Sequence, residues 1–179
     1  MTEDDILNFW FKEIEPSQWW VKDLALDELI INRFSTVHQL ANNCELFLWR
    51  STPKGRLAEI ILLDQFSRNM YRNTPRSFAA DKLALALAQE AINVGADKYL
   101  NALERNFLYM PFMHSESLAI HEVAIKLYFD NGVDSSIDFE QQHKIIIERF
   151  GRYPHRNKIL NRVSSNEEIE FLTQTNSSF

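Results

Sequence analysis

The sequence predicts an all-α fold of antiparallel helical hairpins, and three observations predict it. Only four Gly and five Pro occur in 179 residues, too few turn residues for a many-stranded sandwich or barrel. Apolar residues recur at spacings of three and four through most of the chain, the signature of one-sided helices. Gly95, Gly132 and Gly151 each follow such a run, at the place where a left-handed residue commonly ends a helix. With 45% hydrophobic residues the chain can bury the core of a single helical domain over 1–179. No Gly-, Ser- or Pro-rich linker divides it.

Taken in order, Thr2 predicts the first N-cap. Asp4 and Asp5 favour the helix dipole, Ile6, Phe9 and Trp10 recur at helical spacing, and Pro16 closes the element. Asp27 is expected to cap a second helix with the face Leu29, Ile30, Phe34, Val37, Leu40 and Ala41, ending at Asn42 and Asn43. A third begins near Pro53 and runs through Leu57, Ile60, Ile61 and Leu63 into Asp64, Gln65 and Phe66, followed by a turn at Asn73, Thr74 and Pro75. Asp81 is expected to cap Lys82–Val94. Two helices follow over Ala102–Phe112 and Ser115–Asn131. Asp138 is expected to cap another, which carries Ile145, Ile146, Ile147 and Phe150. Pro154 opens a short helix, and Ser165 with Glu168 forms a capping-box pattern for a last one through Phe171. The polar tail 173–179 is expected to fray. These are about eight helical elements with no strand and no fixed repeat period.

Cys44 is alone, so no disulfide closes within the chain. No leader pattern opens the sequence, and no apolar run approaches the ~20 residues of a membrane span. A cytoplasmic protein without a membrane partner is expected. The net charge of −6 favours solubility over nucleic-acid binding, and no nucleic-acid partner is expected.

That charge is unevenly spread. Arg50, Lys54, Arg56, Arg68, Arg72 and Arg76 face only Glu59 and Asp64 in their segment, a local sum of +4. Lys144, Arg149, Arg152, Arg156, Lys158 and Arg162 face only Glu148, a sum of +5, so the rest of the chain carries −15. Pro154 places His155 and Arg156 in the first turn of a helix, where cations meet the positive end of the dipole. An anion there would relieve the conflict by accepting free N–H groups and pairing with Arg149, Arg152 or Arg156. Three readings stay open: an internal Asp or Glu in an ion-pair network, an external anionic ligand, or a solvated face. Asp64 and Arg68, four apart, can simply pair with each other.

Other chemistry is less well marked. His114 with Glu116, or His143 with Asp64, could serve as acid and base, although a single His on a helix is more often a packing residue. Glu116 and His121 are five apart and point away from each other on a helix. Glu140 and His143 have the three-residue spacing of carboxylate-bridged metal bundles, but only once. No metal and no cofactor is expected. Ser115 lacks nucleophile-elbow glycines, and no Gly-rich phosphate loop occurs. Trp10, Phe11, Trp19 and Trp20 are expected in the core rather than lining a groove.

Three ordered stretches carry a family resemblance: Leu62-Leu63-Asp64-Gln65-Phe66-Ser67-Arg68-Asn69-Met70-Tyr71-Arg72, Phe107-Leu108-Tyr109-Met110-Pro111-Phe112-Met113-His114-Ser115-Glu116, and Arg149-Phe150-Gly151-Arg152-Tyr153-Pro154-His155-Arg156-Asn157. Together they resemble the bacterial domain of unknown function 924, from Phe9-Trp10-Phe11 to Ser178-Phe179. The resemblance implies a tetratricopeptide-like α-α superhelix and no established activity. Ser67 stands where the family pattern usually has Pro, and Met113 where Glu is common.

The expected function is binding of a small anionic ligand or acidic peptide end in a cleft lined by Arg68, Arg72, Arg149, Arg152, His155 and Arg156, with Asp64 and Glu116 orienting the arginines. Two alternatives stand beside it. One is an enzyme acting on a phosphate- or carboxylate-bearing substrate with His114 or His143 as proton carrier. The other is a scaffold that uses the same charges internally. Oligomeric state is left open by the sequence.

Overall fold

The computed structural model describes residues 1–175 and 177, and no strand occurs among them. Helix α1 (3–13) is α-helical over Glu3–Asn8 and widens to a π-helix over Phe9–Glu13. Helix α2 is Leu24–Asn42. Helix α3 (53–70) begins as Pro53–Ile61, passes through a π-helical stretch Leu62–Phe66 and finishes as Ser67–Met70. Helices α4 (Asp81–Asn93), α5 (Ala102–Met113), α6 (Leu118–Asn131), α7 (Asp134–Phe150) and α8 (Asn166–Phe171) follow. Short 3-10 turns lie between them, among them Ala96–Tyr99 and Pro154–Arg156. None of the helices is long and apolar enough to cross a membrane.

The helix ends follow the sequence where glycine sets them. Gly95, Gly132 and Gly151 have φ of +72°, +70° and +67°, a backbone that costs a side-chain-bearing residue but not glycine. Four of the expected starts are displaced, α6 among them, which begins at Leu118 rather than Ser115. Asp23, not Asp27, caps α2 by accepting from the Ala25 and Leu26 N–H groups. Asp81 is the first residue of α4 rather than its cap, and α7 starts a turn earlier than Asp138. The capping box at Ser165 and Glu168 is formed. Of the tail 173–179, Asn176, Ser178 and Phe179 lie outside the described residues, whereas Ser177 Oγ donates to Leu172 O.

Helix α3 is the axis of the molecule. Every residue from Leu57 to Ser67 is buried, as expected of a helix apolar on nearly all sides. It packs against α1, α2, α4 and α5. Phe9 and Trp10 from α1, Phe34 from α2 and Phe66 from α3 meet with ring centroids 4.7–5.9 Å apart, and Phe107 of α5 closes on Trp10 at 5.6 Å. The expected aromatic core is therefore present, although Trp20 remains exposed. On α4, Ala84, Ala88 and Ala91 are fully buried, and their small side chains let that helix approach α3 closely. Helices α5, α6 and α7 pack in succession. The segment after Gly151 has a separate, small apolar cluster of Ile146, Ile147 and Tyr153 with Phe150 and Phe171 against it.

Candidate functional site

Burying α3 also buries its polar residues. Asp64 sits in the π-helical stretch with its side chain 1% exposed, and a buried carboxylate must be matched by donors. Four groups do so. His114, at the C-terminal end of α5, places Nδ1 2.8 Å from Asp64 Oδ1. Arg68, one turn along α3, places Nη1 3.2 Å from the same oxygen and donates to the Asp64 carbonyl at 2.7 Å. Gln65 Nε2 donates to Oδ2 at 2.6 Å. Burial opposes ionisation of Asp64, but Arg68 and His114 prevail and hold it well below the usual carboxylate range.

Because an ionised carboxylate only accepts, His114 carries its proton on Nδ1. Burial and Arg68 lower the His114 pKa, against the pull of Asp64, which favours the neutral imidazole. Nε2 is then the basic nitrogen, and no hydrogen bond engages it among the described residues. The side chain is 14% exposed.

Asp81, at the start of α4, joins the two basic segments. It accepts from Arg68 Nη1 and Nη2, both at 3.0 Å, and from Arg156 Nη1 at 3.3 Å. The Arg156 guanidinium lies between the Phe78 and Tyr153 rings, 4.6 Å from each centroid. It donates Nη2 to His114 O at 3.1 Å, while its buried Nε has no partner. Burial and the nearby Arg68 lower its pKa.

Three successive carbonyls at the end of α5 are held by side chains from other elements. Tyr153 Oη donates to Met113 O (2.5 Å), Arg156 to His114 O, and His121 Nε2 to Ser115 O (2.9 Å). These are the carbonyls a helix end leaves unpaired, so the backbone on both sides of His114 is pinned. His121 shares a 2.6 Å hydrogen bond from Nδ1 with Glu140 Oε1, both side chains fully buried. Burial raises the Glu140 pKa against the effect of His121.

Of the predicted residues, Asp64, Arg68, His114 and Arg156 come together. His155 and His143 lie nearby, packed on the Tyr153 ring with centroids 5.6 and 5.7 Å away. Burial lowers both pKa values to about 3. The other predicted residues go elsewhere. Arg72 makes a bidentate pair with Asp27, at 2.6 and 2.7 Å, and Arg152 another with Glu168, at 2.6 and 2.8 Å. Arg149 is exposed and stacks on Phe150. Glu116 does not orient the predicted arginines. It binds Arg162 through both oxygens and accepts the Tyr153 N–H at 2.8 Å, so the carboxylate wanted at the start of the Pro154 turn is the protein's own.

Sequence reasoning missed Asp81, treated only as a cap, and Tyr153. It also missed His38, whose Nε2 lies 2.8 Å from Ser67 Oγ in the core. Among the described residues no three side chains are arranged to hold a metal ion.

A family model described as a bacterial protein of unknown function, DUF924, matches residues 6–176. A solved structure from Agrobacterium tumefaciens, that of the protein of unknown function ATU0120, is 39% identical to this chain. The two superpose with a TM-score of 0.90 over 95% of this chain and 96% of that one. Among curated proteins none matches.

Proposed function

The chain belongs to the bacterial family DUF924, whose description assigns no activity, and from its residues we propose an acid–base site in which His114 carries a proton to or from a small carboxylate- or phosphate-bearing molecule. Asp64 orients the imidazole and fixes its tautomer, Arg68 secures Asp64, and Arg156 holds the His114 carbonyl and adds positive charge there. One observation carries this reading: a fully buried carboxylate engages His114 Nδ1 and leaves Nε2 without a hydrogen-bond partner among the described residues. That is the division of labour between orienting acid and working base in general-base catalysis. The π-helical stretch that brings Asp64 into position adds support, because such widened turns are enriched at functional sites.

His114→Gln tests it, since glutamine keeps a donor for Asp64 but has no basic nitrogen. The chain is incubated with phosphate esters, carboxylate esters and small carboxylates in D2O, with hydrolysis and exchange of protons α to the carboxylate followed by NMR. At least one compound should react, and His114→Gln should slow it by about 10²-fold or more at an unchanged melting temperature. Absence of reaction with every compound, or equal rates in the two proteins, overturns the proposal.

A second reading is favoured by the bidentate pairs of Arg68, Arg72, Arg152 and Arg162. In it the charges serve to fix the packing of the chain, and an open cleft lined by all the predicted arginines is not needed. It predicts that Arg152→Ala destabilises the protein without altering any response to phosphate or dicarboxylates.

A further inference from the structure

Arg105 differs from the ion-paired arginines above. Arg105 of α5 donates Nε to Asn131 Oδ1 (2.6 Å) and Nη1 to Leu100 O (2.9 Å), both neutral acceptors. No carboxylate lies within ion-pair distance of it among the described residues, and its Nη2 makes no hydrogen bond. Two carboxylates nevertheless share its surroundings. A cleft of about 300 Å³ between the Ala96–Tyr99 turn, α5 and the last turn of α6 is lined by Asp97, Lys98, Arg105, Tyr109, Leu127, Asp130 and Asn131. Among the described residues, Asp97, Asp130 and Lys98 make no ion pair.

Asp97 is held in place. Its Oδ2 accepts from the buried Tyr109 hydroxyl at 3.0 Å, while its buried Oδ1 has no partner. Burial, then Asp97 and Asp130, raise the Tyr109 pKa and Arg105 lowers it, which places all three charges within electrical reach of one hydroxyl. Two acids and two bases thus line one small space without neutralising each other. Elsewhere in the chain a guanidinium near a carboxylate closes on it, as Arg68, Arg72, Arg152 and Arg162 do.

We infer that this cleft binds a small zwitterion of the amino-acid class, its ammonium group toward Asp97 and Asp130 and its carboxylate toward Arg105 Nη2 and Lys98. A simple anion would meet two carboxylates and a simple cation two bases, so a ligand bearing both signs complements the lining best. The volume is at the small end of ligand sites and suits a single amino acid rather than a nucleotide. Leu127 supplies an apolar wall for its side chain.

The inference is independent of the His114 site and is tested separately. The twenty common L-amino acids are titrated into the full chain, with the Arg105, Tyr109 and Asn131 resonances followed by NMR. Each responder is then compared with its N-acetyl and carboxamide forms. At least one free amino acid should give a saturable response, weakened tenfold or more when either charge is blocked and tenfold or more in Asp97→Asn. Because Asp97 also anchors Tyr109, Asp130→Asn on the exposed last turn of α6 is the second variant, expected to weaken binding several-fold. His114→Gln should bind as the natural protein does. No saturable response, equal binding of a blocked form, or binding unchanged in both aspartate variants overturns it.

Discussion

The helices around α3 and the segment after Gly151 are attached to the same molecule by different forces. Around α3 the contacts are apolar, with Phe9, Trp10, Phe34, Phe66 and Phe107 buried among leucines and isoleucines. Among the described residues after Gly151, Tyr153 joins Ile146 and Ile147 in a small apolar cluster, with Phe171 packed against it. The segment is further attached by Arg162 on Glu116, Arg156 on Asp81, and the Tyr153 N–H and hydroxyl on Glu116 and Met113, while Arg152 on Glu168 closes a pair within the segment itself. Ion pairs from the charge concentrated late in the chain thus help hold this segment against the helices before it. An arginine-rich stretch in an acidic protein can signal an internal partner as readily as an external one.

The largest expected effect is in the apolar half. Phe66→Ala removes a ring in contact with three others and should cost about 3–5 kcal/mol, measured by urea unfolding and spread over all helices. If only the C-terminal segment loosened, the two halves would not differ as described.

Glu116→Ala comes next. It strands the Arg162 guanidinium and the Tyr153 N–H, but both side chains of the pair keep about a quarter of their surface, at 24% and 26%, so the cost is discounted to about 1–3 kcal/mol. Hydrogen exchange should accelerate through 151–171 and stay slow in α1–α3. Uniform acceleration would mean that the segment is part of the main core.

Acid should separate the halves in the same order. His143 and His155 have pKa values lowered to about 3 by burial. The unfolded chain therefore takes up protons below its ordinary histidine pKa of about 6.5 that the folded one refuses, and stability falls as pH drops from there toward 3. Glu168, lowered to about 2 by Arg152, and Glu116, lowered by Arg162 against its burial, act in the same direction below their ordinary pKa, near 4.5. Glu140, raised by burial, acts oppositely, since its folded state retains a proton above that value. Around α3 the matching groups are His38, lowered to about 4 by burial, His114, also lowered, and Asp64, held so far below the usual carboxylate range that its contribution is lost only in stronger acid. Exchange at pH 4.5, corrected for intrinsic rates, should show 151–171 opening before α1–α3. Simultaneous opening would remove the distinction.

Much of the architecture was legible because glycine and apolar spacing act locally. The stops at Gly95, Gly132 and Gly151 needed nothing beyond φ preferences. The starts were harder, because an aspartate can cap a helix or pair with a distant arginine, and nothing local separates the two. Asp27 and Asp81 were assigned to caps and instead hold Arg72 and Arg68. Asp64 with Arg68 was legible as neighbours one turn apart, whereas His114, 50 residues from Asp64, meets it only through the packing of α5 on α3. A π-helical stretch of five residues, as at Phe9–Glu13 and Leu62–Phe66, is too short to shift the apolar spacing recognisably, so the widening that positions Asp64 has no signature in the sequence.

The smallest effect concerns a polar pair inside the apolar half. Ser67 Oγ and His38 Nε2 are 2.8 Å apart, with both residues almost wholly buried, and Asn42 lies at 3.2 Å from Nδ1. Ser67→Ala leaves a buried ring nitrogen without its neutral partner while the surrounding hydrocarbon keeps its contacts. A neutral hydrogen bond of this kind contributes about 1 kcal/mol, less than the stranded guanidinium of Glu116→Ala, because no charge is left uncompensated. The expected result is a small fall in the urea midpoint at constant slope, with exchange in 151–171 unaltered. A loss exceeding that of Glu116→Ala would show that polar contacts near α3 matter as much as those after Gly151, and the contrast between the halves would fail at its most sensitive point.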